Sequence, residues 1–206
     1  MDLAMWMFDE ETRQVRYAGA NNPLVIVRKD FVEGEVEEDD RIKIQEFVSE
    51  TNGETYHIIQ IAGNKQPIAI YPEMVPFEEV CLTLKTGDTL YTFSDGFQDQ
   101  FGFESGKKFM SKHLREVLLE IHQKPMAEQK EILNKIYEDW RGPADHQTDD
   151  VVNIGKFYFT ASSFNSTAIL RIYFRILDIN FSTCICLYIK AIATITVKLG
   201  RSSLKK

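Results

Sequence analysis

The chain has 206 residues, enough for one domain with a sizeable core, and its 44% apolar content is ordinary for a globular protein. With 24 Lys and Arg against 31 Asp and Glu the net charge is −7, which argues against nucleic acid or an anionic membrane as the main partner. Three cysteines, Cys81, Cys184 and Cys186, cannot pair evenly and show no C-x-x-C spacing, which fits a reducing compartment and gives no zinc signal.

Leu3 to Phe8 is a continuous apolar run of strand length, and the pattern predicts a strand buried on both faces. The stretch from Met1 lacks a basic region and a cleavage site, so it does not read as a signal peptide. Asp9 to Thr12 supplies a polar turn, Gln14 to Ala20 has strand character, and Asn21-Asn22-Pro23 leads into the strand Leu24 to Val27. A sheet that opens with no lead-in reads as the middle of a fold, so the domain is expected to be N-terminally incomplete. From Asp30 to Asp40 the chain is acidic around Gly34 and reads as a solvated loop. Ile42, Ile44 and Phe47 alternate weakly, Tyr56 to Ala62 is a stronger strand, and Pro67 to Tyr71 is a short apolar segment pinned by Pro67 and Pro72. Phe77 to Leu84 predicts another strand, and Lys85 to Asp88 is a turn into Thr89 to Ser94.

A loop with Gly102 and Gly106 precedes two helical patterns. Phe109, Leu114, Val117, Leu118 and Ile121 make the first; Pro125 opens the second, with Ile132, Leu133, Ile136, Tyr137 and Trp140 as its apolar face. That stripe reads as core. Arg141-Gly142-Pro143 stops it, and a last strand runs from Val151 to Phe159. Strands, a helix pair and a closing strand define an α+β class with helices packed on antiparallel sheet.

Two places carry chemistry. The apolar run Leu90-Tyr91-Thr92-Phe93 ends in Ser94-Asp95-Gly96, and Gln147-Thr148-Asp149-Asp150 introduces the last strand. A carboxylate at the lip of a buried strand suits a hard cation, which wants oxygen ligands on a rigid support. Asp-Gly is also a common turn pair, so Asp95 alone reads as a turn residue; with Asp149-Asp150 as partner, metal ligation is favoured. Asp99 reads as a loop carboxylate beside the site. His146 follows Asp145 near the Asp pair and reads as a solvated loop histidine, His113 and His122 are nine residues apart and are not a helical ligand pair, and His57 sits in a strand.

Four blocks in order carry a resemblance: Tyr17-Ala18-Gly19-Ala20-Asn21-Asn22-Pro23-Leu24, Gln66-Pro67-Ile68-Ala69-Ile70-Tyr71, Gly87-Asp88 through Ser94-Asp95-Gly96, and Thr148-Asp149-Asp150-Val151-Val152. Together they resemble the C-terminal two-thirds of bacterial PPM-type serine/threonine phosphatases of the SpoIIE-like branch. The likeness is strongest to versions attached to sensor modules, whose corner continues as Asp99-Gln100-Phe101-Gly102 and Gly106-Lys107-Lys108-Phe109 do here. The resemblance implies a β-sandwich flanked by helices with two Mn²⁺ or Mg²⁺ ions at one end. It implies Asp95 and Asp149 as metal ligands, Asp150 as an orienting neighbour, Gly96 as the residue that lets the chain turn away from the metal, and no protein nucleophile. It further implies a phosphorylated signalling protein as substrate, a sensor or regulatory module upstream, and a cytoplasmic domain, with the sensor region as the place for any membrane anchor of the parent.

The chain also departs from that family. The family's first metal corner, whose Asp bridges both ions, has no counterpart here, and Asp2 lies in a strand rather than at that position. Ala69 stands where the family usually has Gly. Two carboxylates imply weak single-ion binding, and the alternative to a phosphatase is a truncated, inactive fragment that at most binds a partner protein. An unrelated α+β binding module is a third reading, favoured if Asp95 and Asp149 lie far apart. Residues 1–159 are assigned to the partial phosphatase domain and are expected to make no membrane contact. Residues 160–206 hold seven basic residues against the single acid Asp178, leaving +6, so residues 1–159 carry −13. Their most apolar uncharged run, Ile179 to Ile189, is shorter than the roughly 20 residues of a membrane span. They read as a basic, apolar, non-native tail.

Overall fold

The computed structural model describes residues 2–69, 73–143 and 147–157. The tail assigned to 160–206, the 159/160 boundary, Ile70, Tyr71, Pro72, Asp145, His146 and the end of the last predicted strand lie outside the described residues. Eight strands are described: β1 (Leu3–Asp9), β2 (Gln14–Ala20), β3 (Leu24–Arg28), β4 (Ile42–Val48), β5 (Thr55–Ile61), β6 (Val80–Thr83), β7 (Thr89–Phe93) and β8 (Asn153–Phe157). Three helices join them: α1 (Gly96–Asp99), α2 (Ser111–Ile121) and α3 (Met126–Arg141). The class is α+β, as the pattern of elements predicts.

The strands form two antiparallel sheets, ordered β1-β2-β6 and β4-β5-β3-β7-β8. Side-chain alternation along β3 explains how the larger sheet serves two cores. Leu24 and Ile26 join Val15, Tyr17, Ile59, Ile61, Val80, Leu82 and Leu90 between the sheets. Val25 and Val27 face the other way, with Ile58, Tyr91 and Phe93, onto Leu114, Leu118, Leu133 and Tyr137 of the helices. Both β3 and β7 are buried along their whole length, as near-continuous apolar strands covered on both faces must be. The three layers are therefore sheet, sheet and helix pair.

β1 departs from expectation. Among the described strands it pairs with β2 alone, so Ala4, Trp6 and Phe8 pack on the inter-sheet core while Met5 and Met7 are 57% and 53% exposed. A continuous apolar run does not reveal which of its faces finds a partner. Lys156 stands over the Trp6 and Phe8 rings at 5.7 and 5.2 Å and covers part of their surface. The acidic loop is also more than a solvated turn, since Glu35 binds Arg28 at 2.7 Å and Lys85, and Asp39 binds Arg41 at 2.7 Å. Two elements differ in extent from their sequence patterns: β6 is shorter than Phe77 to Leu84, and α1 lies where a loop is expected.

The start of β7 is fixed by a buried charge network. Arg28, 2% exposed, directs Nε and Nη2 at the Asp88 carboxylate at 3.0 and 2.6 Å, and Nη2 also donates to Thr83 O at 2.9 Å. Asp88 accepts from the Lys85 amide as well, at 2.8 Å, so every charged atom has a partner. Removing one member of such a pair leaves the other charge buried, which costs about 3–5 kcal/mol. Asp88→Ala is expected to lose about 3 kcal/mol, the low end, because Glu35 still faces Arg28; urea denaturation measures it.

Candidate metal centre

β7 carries the chain from the Arg28–Asp88 network to the opposite end of the sheet, where Ser94 follows Phe93. The Ser94 amide donates to Val152 O at 2.9 Å, its Oγ accepts from the Val152 amide at 3.0 Å, and its hydroxyl donates to Asp150 O at 2.7 Å. These bonds extend the β7–β8 ladder, whose last pair is Phe93 with Asn153. They bring Asp95 and the Asp149-Asp150 pair to one place although 54 positions separate Asp95 from Asp149 in the sequence.

Gly96 serves this approach in a different way from the turn expected of it. Its backbone has no positive φ. A Cβ at position 96 would instead lie 2.3 Å from Asp150 O and 3.1 Å from Asp149 O. Glycine is required because the second block's backbone passes directly over it. The chain then winds into α1, with the Asp99 amide donating to Asp95 O at 2.9 Å. Asp95 occupies the N-cap position, yet its side chain makes no capping bond. The carboxylate is thereby left for another task.

Its electrostatics show which groups surround it. Burial, and after it the charge of Asp149, push the Asp95 carboxyl above its ordinary range; Asp99 and Asp2 push the same way, against a lowering by its own backbone amide. Asp149 takes the Asp150 amide on Oδ1 at 2.7 Å, and Gln147 Nε2 donates to Asp149 O at 2.8 Å. Asp150 points its backbone oxygen, not a capping side chain, at Ser94. Asp99 is bound by Lys108 at 3.1 Å, which fits a loop carboxylate beside the site better than a ligand. Asp2, not a site residue by the sequence reading, is held by Asn21 Nδ2 at 2.9 Å with its charge felt at Asp95. Nothing local in the sequence marks it; only the pairing of β1 with β2 brings it there.

The described histidines stand elsewhere. His57 stacks on Phe31 at 4.9 Å, His113 packs on Phe109 at 4.5 Å, and His122 is buried against Tyr56 with Nδ1 donating to Leu119 O. Among the described residues no three His, Cys, Asp or Glu side chains enclose a common ion position. The corner thus brings the Asp95 carboxylate, which makes no capping bond, within reach of the charge of Asp149. Carboxylate oxygens are the donor chemistry that a hard divalent cation takes.

The layered α+β sandwich resembles a PP2C domain in fold. The SiaA-PP2C domain of Pseudomonas aeruginosa superposes with a TM-score of 0.57 at 22% identity, covering 76% of this chain and 51% of that one. The chain thus spans about half the length of that domain's chain. Residues 51–154, half of this sequence, match the family described as Stage II sporulation protein E (SpoIIE), and the chain belongs to that family. No curated protein matches it.

The raised Asp95 pKa has a consequence for stability. An unfolded Asp titrates near about 3.9. With the folded-state value higher, the folded protein binds more protons than the unfolded chain as pH rises from there to the folded pKa. Stability therefore falls across that window and stays reduced above it. Asp95→Asn is expected to be more stable than the parent at neutral pH without divalent cations, the gap closing below about pH 3.9. Urea midpoints at the two pH values decide; equal midpoints at neutral pH contradict the raised Asp95 pKa.

Proposed function

We propose that this chain is a module of a metal-dependent phosphatase that removes phosphate from phosphoserine or phosphothreonine on a signalling protein. The observation that carries the reading is the uncapped Asp95 carboxylate at the end of buried β7, opposed by Asp149 across the Ser94 bonds. Repulsion of this kind is relieved when a cation enters, so the two groups are arranged at a cost to stability that a ligand offsets.

Asp95 and Asp149 would hold Mn²⁺ or Mg²⁺. When bound, the ion supplies an acidified water as nucleophile for in-line attack on phosphorus. The residues of the chain orient and support. Ser94 and Gly96 let the two acidic backbones lie against each other, and Lys108 neutralises Asp99 so that one fewer charge competes for the ion; Asp150 would be the orienting neighbour. A sensor or regulatory module upstream in a longer parent, and a cytoplasmic setting, belong to the same reading. No described helix is long and apolar enough to cross a membrane.

The alternative reading is a module without activity of its own that at most binds a partner protein. Manganese-dependent release of phosphate from p-nitrophenyl phosphate or a phosphothreonine peptide separates the two. Activity that saturates with Mn²⁺ and falls at least about a hundredfold in Asp95→Asn supports the phosphatase, since a directly ligating group is expected to matter at least as much as its supporting partners. A folded chain with no activity across the titration leaves only the binding module.

A further inference from the structure

Asp149 sits in a stretch, 147–152, that belongs to no helix or strand, so something other than regular structure must fix its backbone. On its C-terminal side the fixing contact is the Ser94 hydroxyl on Asp150 O at 2.7 Å. On its N-terminal side it is Gln100. This side chain is 2% exposed, and its Oε1 accepts from the Thr148 amide at 3.0 Å and from the Tyr137 hydroxyl at 2.9 Å. A backbone N–H can only donate, so the oxygen and not the nitrogen of the side-chain amide faces Thr148. Nε2 donates to Phe101 O at 3.1 Å, while the main-chain oxygen of Gln100 accepts from Trp140 Nε1 and the Phe109 amide, each at 3.0 Å.

Gln100 is therefore pinned by its own backbone to α3 and to the strand-like return at Phe109, and it presents one oxygen to Thr148. Phe97 packs on Phe109 and Tyr137 at 5.0 and 5.1 Å and gives this support an apolar floor. We infer that Gln100 is a positioning residue that, with Ser94, holds Asp149 from both sides opposite Asp95, so that the seat of α3 sets the geometry of the cation site. This rests on the reading of Asp95 and Asp149 as ligands. Outer contacts of this kind change metal affinity by about ten- to a hundredfold when removed.

The test uses the 206-residue chain, with Mn²⁺ alone as probe, and two readouts by NMR: exchange of the Thr148 amide, and Mn²⁺-dependent broadening at Asp95 and Asp149. Gln100→Met keeps the length and removes the acceptor; Gln100→Glu keeps an acceptor oxygen for both donors. Gln100→Met is expected to speed Thr148 exchange by about tenfold or more and to weaken Mn²⁺ binding by about tenfold or more, with protection of Val25 and Ile58 unchanged. Gln100→Glu is expected to retain slow Thr148 exchange. Tyr137→Phe removes one donor to the oxygen without moving the side chain, and is expected to shift Thr148 exchange in the same direction by a smaller factor, which serves if Gln100→Met does not fold. Unchanged Thr148 exchange in Gln100→Met and Tyr137→Phe overturns the inference, as does faster exchange with unaltered Mn²⁺ affinity. Absence of any Mn²⁺ effect in the parent chain instead removes the ligand reading itself, and the inference with it.

Discussion

The triple contact of Ser94 with the 150–152 backbone is the constraint on which the site depends. It continues the β7–β8 pairing one step past the sheet and sets two acidic segments against each other. Without it Asp95 would be the residue of an ordinary strand-to-helix turn, with nothing to bring it to Asp149, an exposed loop carboxylate. Such an arrangement places like charges together, which folding alone disfavours; burial first, and the charge of Asp149 after it, hold the Asp95 carboxyl above its ordinary range. The rest of the domain supplies the rigidity that makes the conflict sustainable.

That rigidity comes from the middle of the larger sheet. β3 and β7 are covered on one face by the second sheet and on the other by α2 and α3. One end of β7 is fixed by Arg28 and Asp88, and its midpoint by the Tyr91 hydroxyl donating to Gln129 of α3 at 2.8 Å. Gln129 Nε2 in turn donates to the carbonyls of His122 and Lys124 in the α2–α3 connection, at 3.0 and 2.7 Å. Buried polar groups in this domain are thus used repeatedly to tie helices to the strand that bears Asp95. Position is transmitted to the site through Gln100 in the same manner, by a buried amide with its partners satisfied.

Much of this was legible in the sequence, for identifiable reasons. β2 is marked at both ends by turn residues, β3 by an apolar run that opens after Asn-Asn-Pro, and β7 by one that ends in Ser-Asp-Gly. The faces of α2 and α3 follow from the spacing of Leu114 with Leu118 and of Leu133 with Tyr137. The α+β class and the membership of the SpoIIE family follow from blocks that read correctly in order. What escaped depends on tertiary contact. The half-exposure of β1 is decided by which neighbours it has, which an apolar run does not state. The reason for Gly96 is another segment's carbonyl, 54 positions away by way of Asp150. Asp2 and Gln100 look unremarkable in the chain because their importance is a matter of where the sheet and α3 deliver them. Ion pairs in the acidic loop were hidden for the same reason: Glu35 meets Arg28 and Lys85 only once β3 and β7 lie side by side.

The central claim is that Asp95 and Asp149 share one hard cation. Anomalous scattering from crystals of the chain grown with Mn²⁺ tests it most directly. The account predicts a peak between the two residues, about 2.0–2.6 Å from a carboxylate oxygen of each, with water completing the shell. A manganese peak held by other side chains, or none while both carboxylates are well ordered and apart, would contradict it.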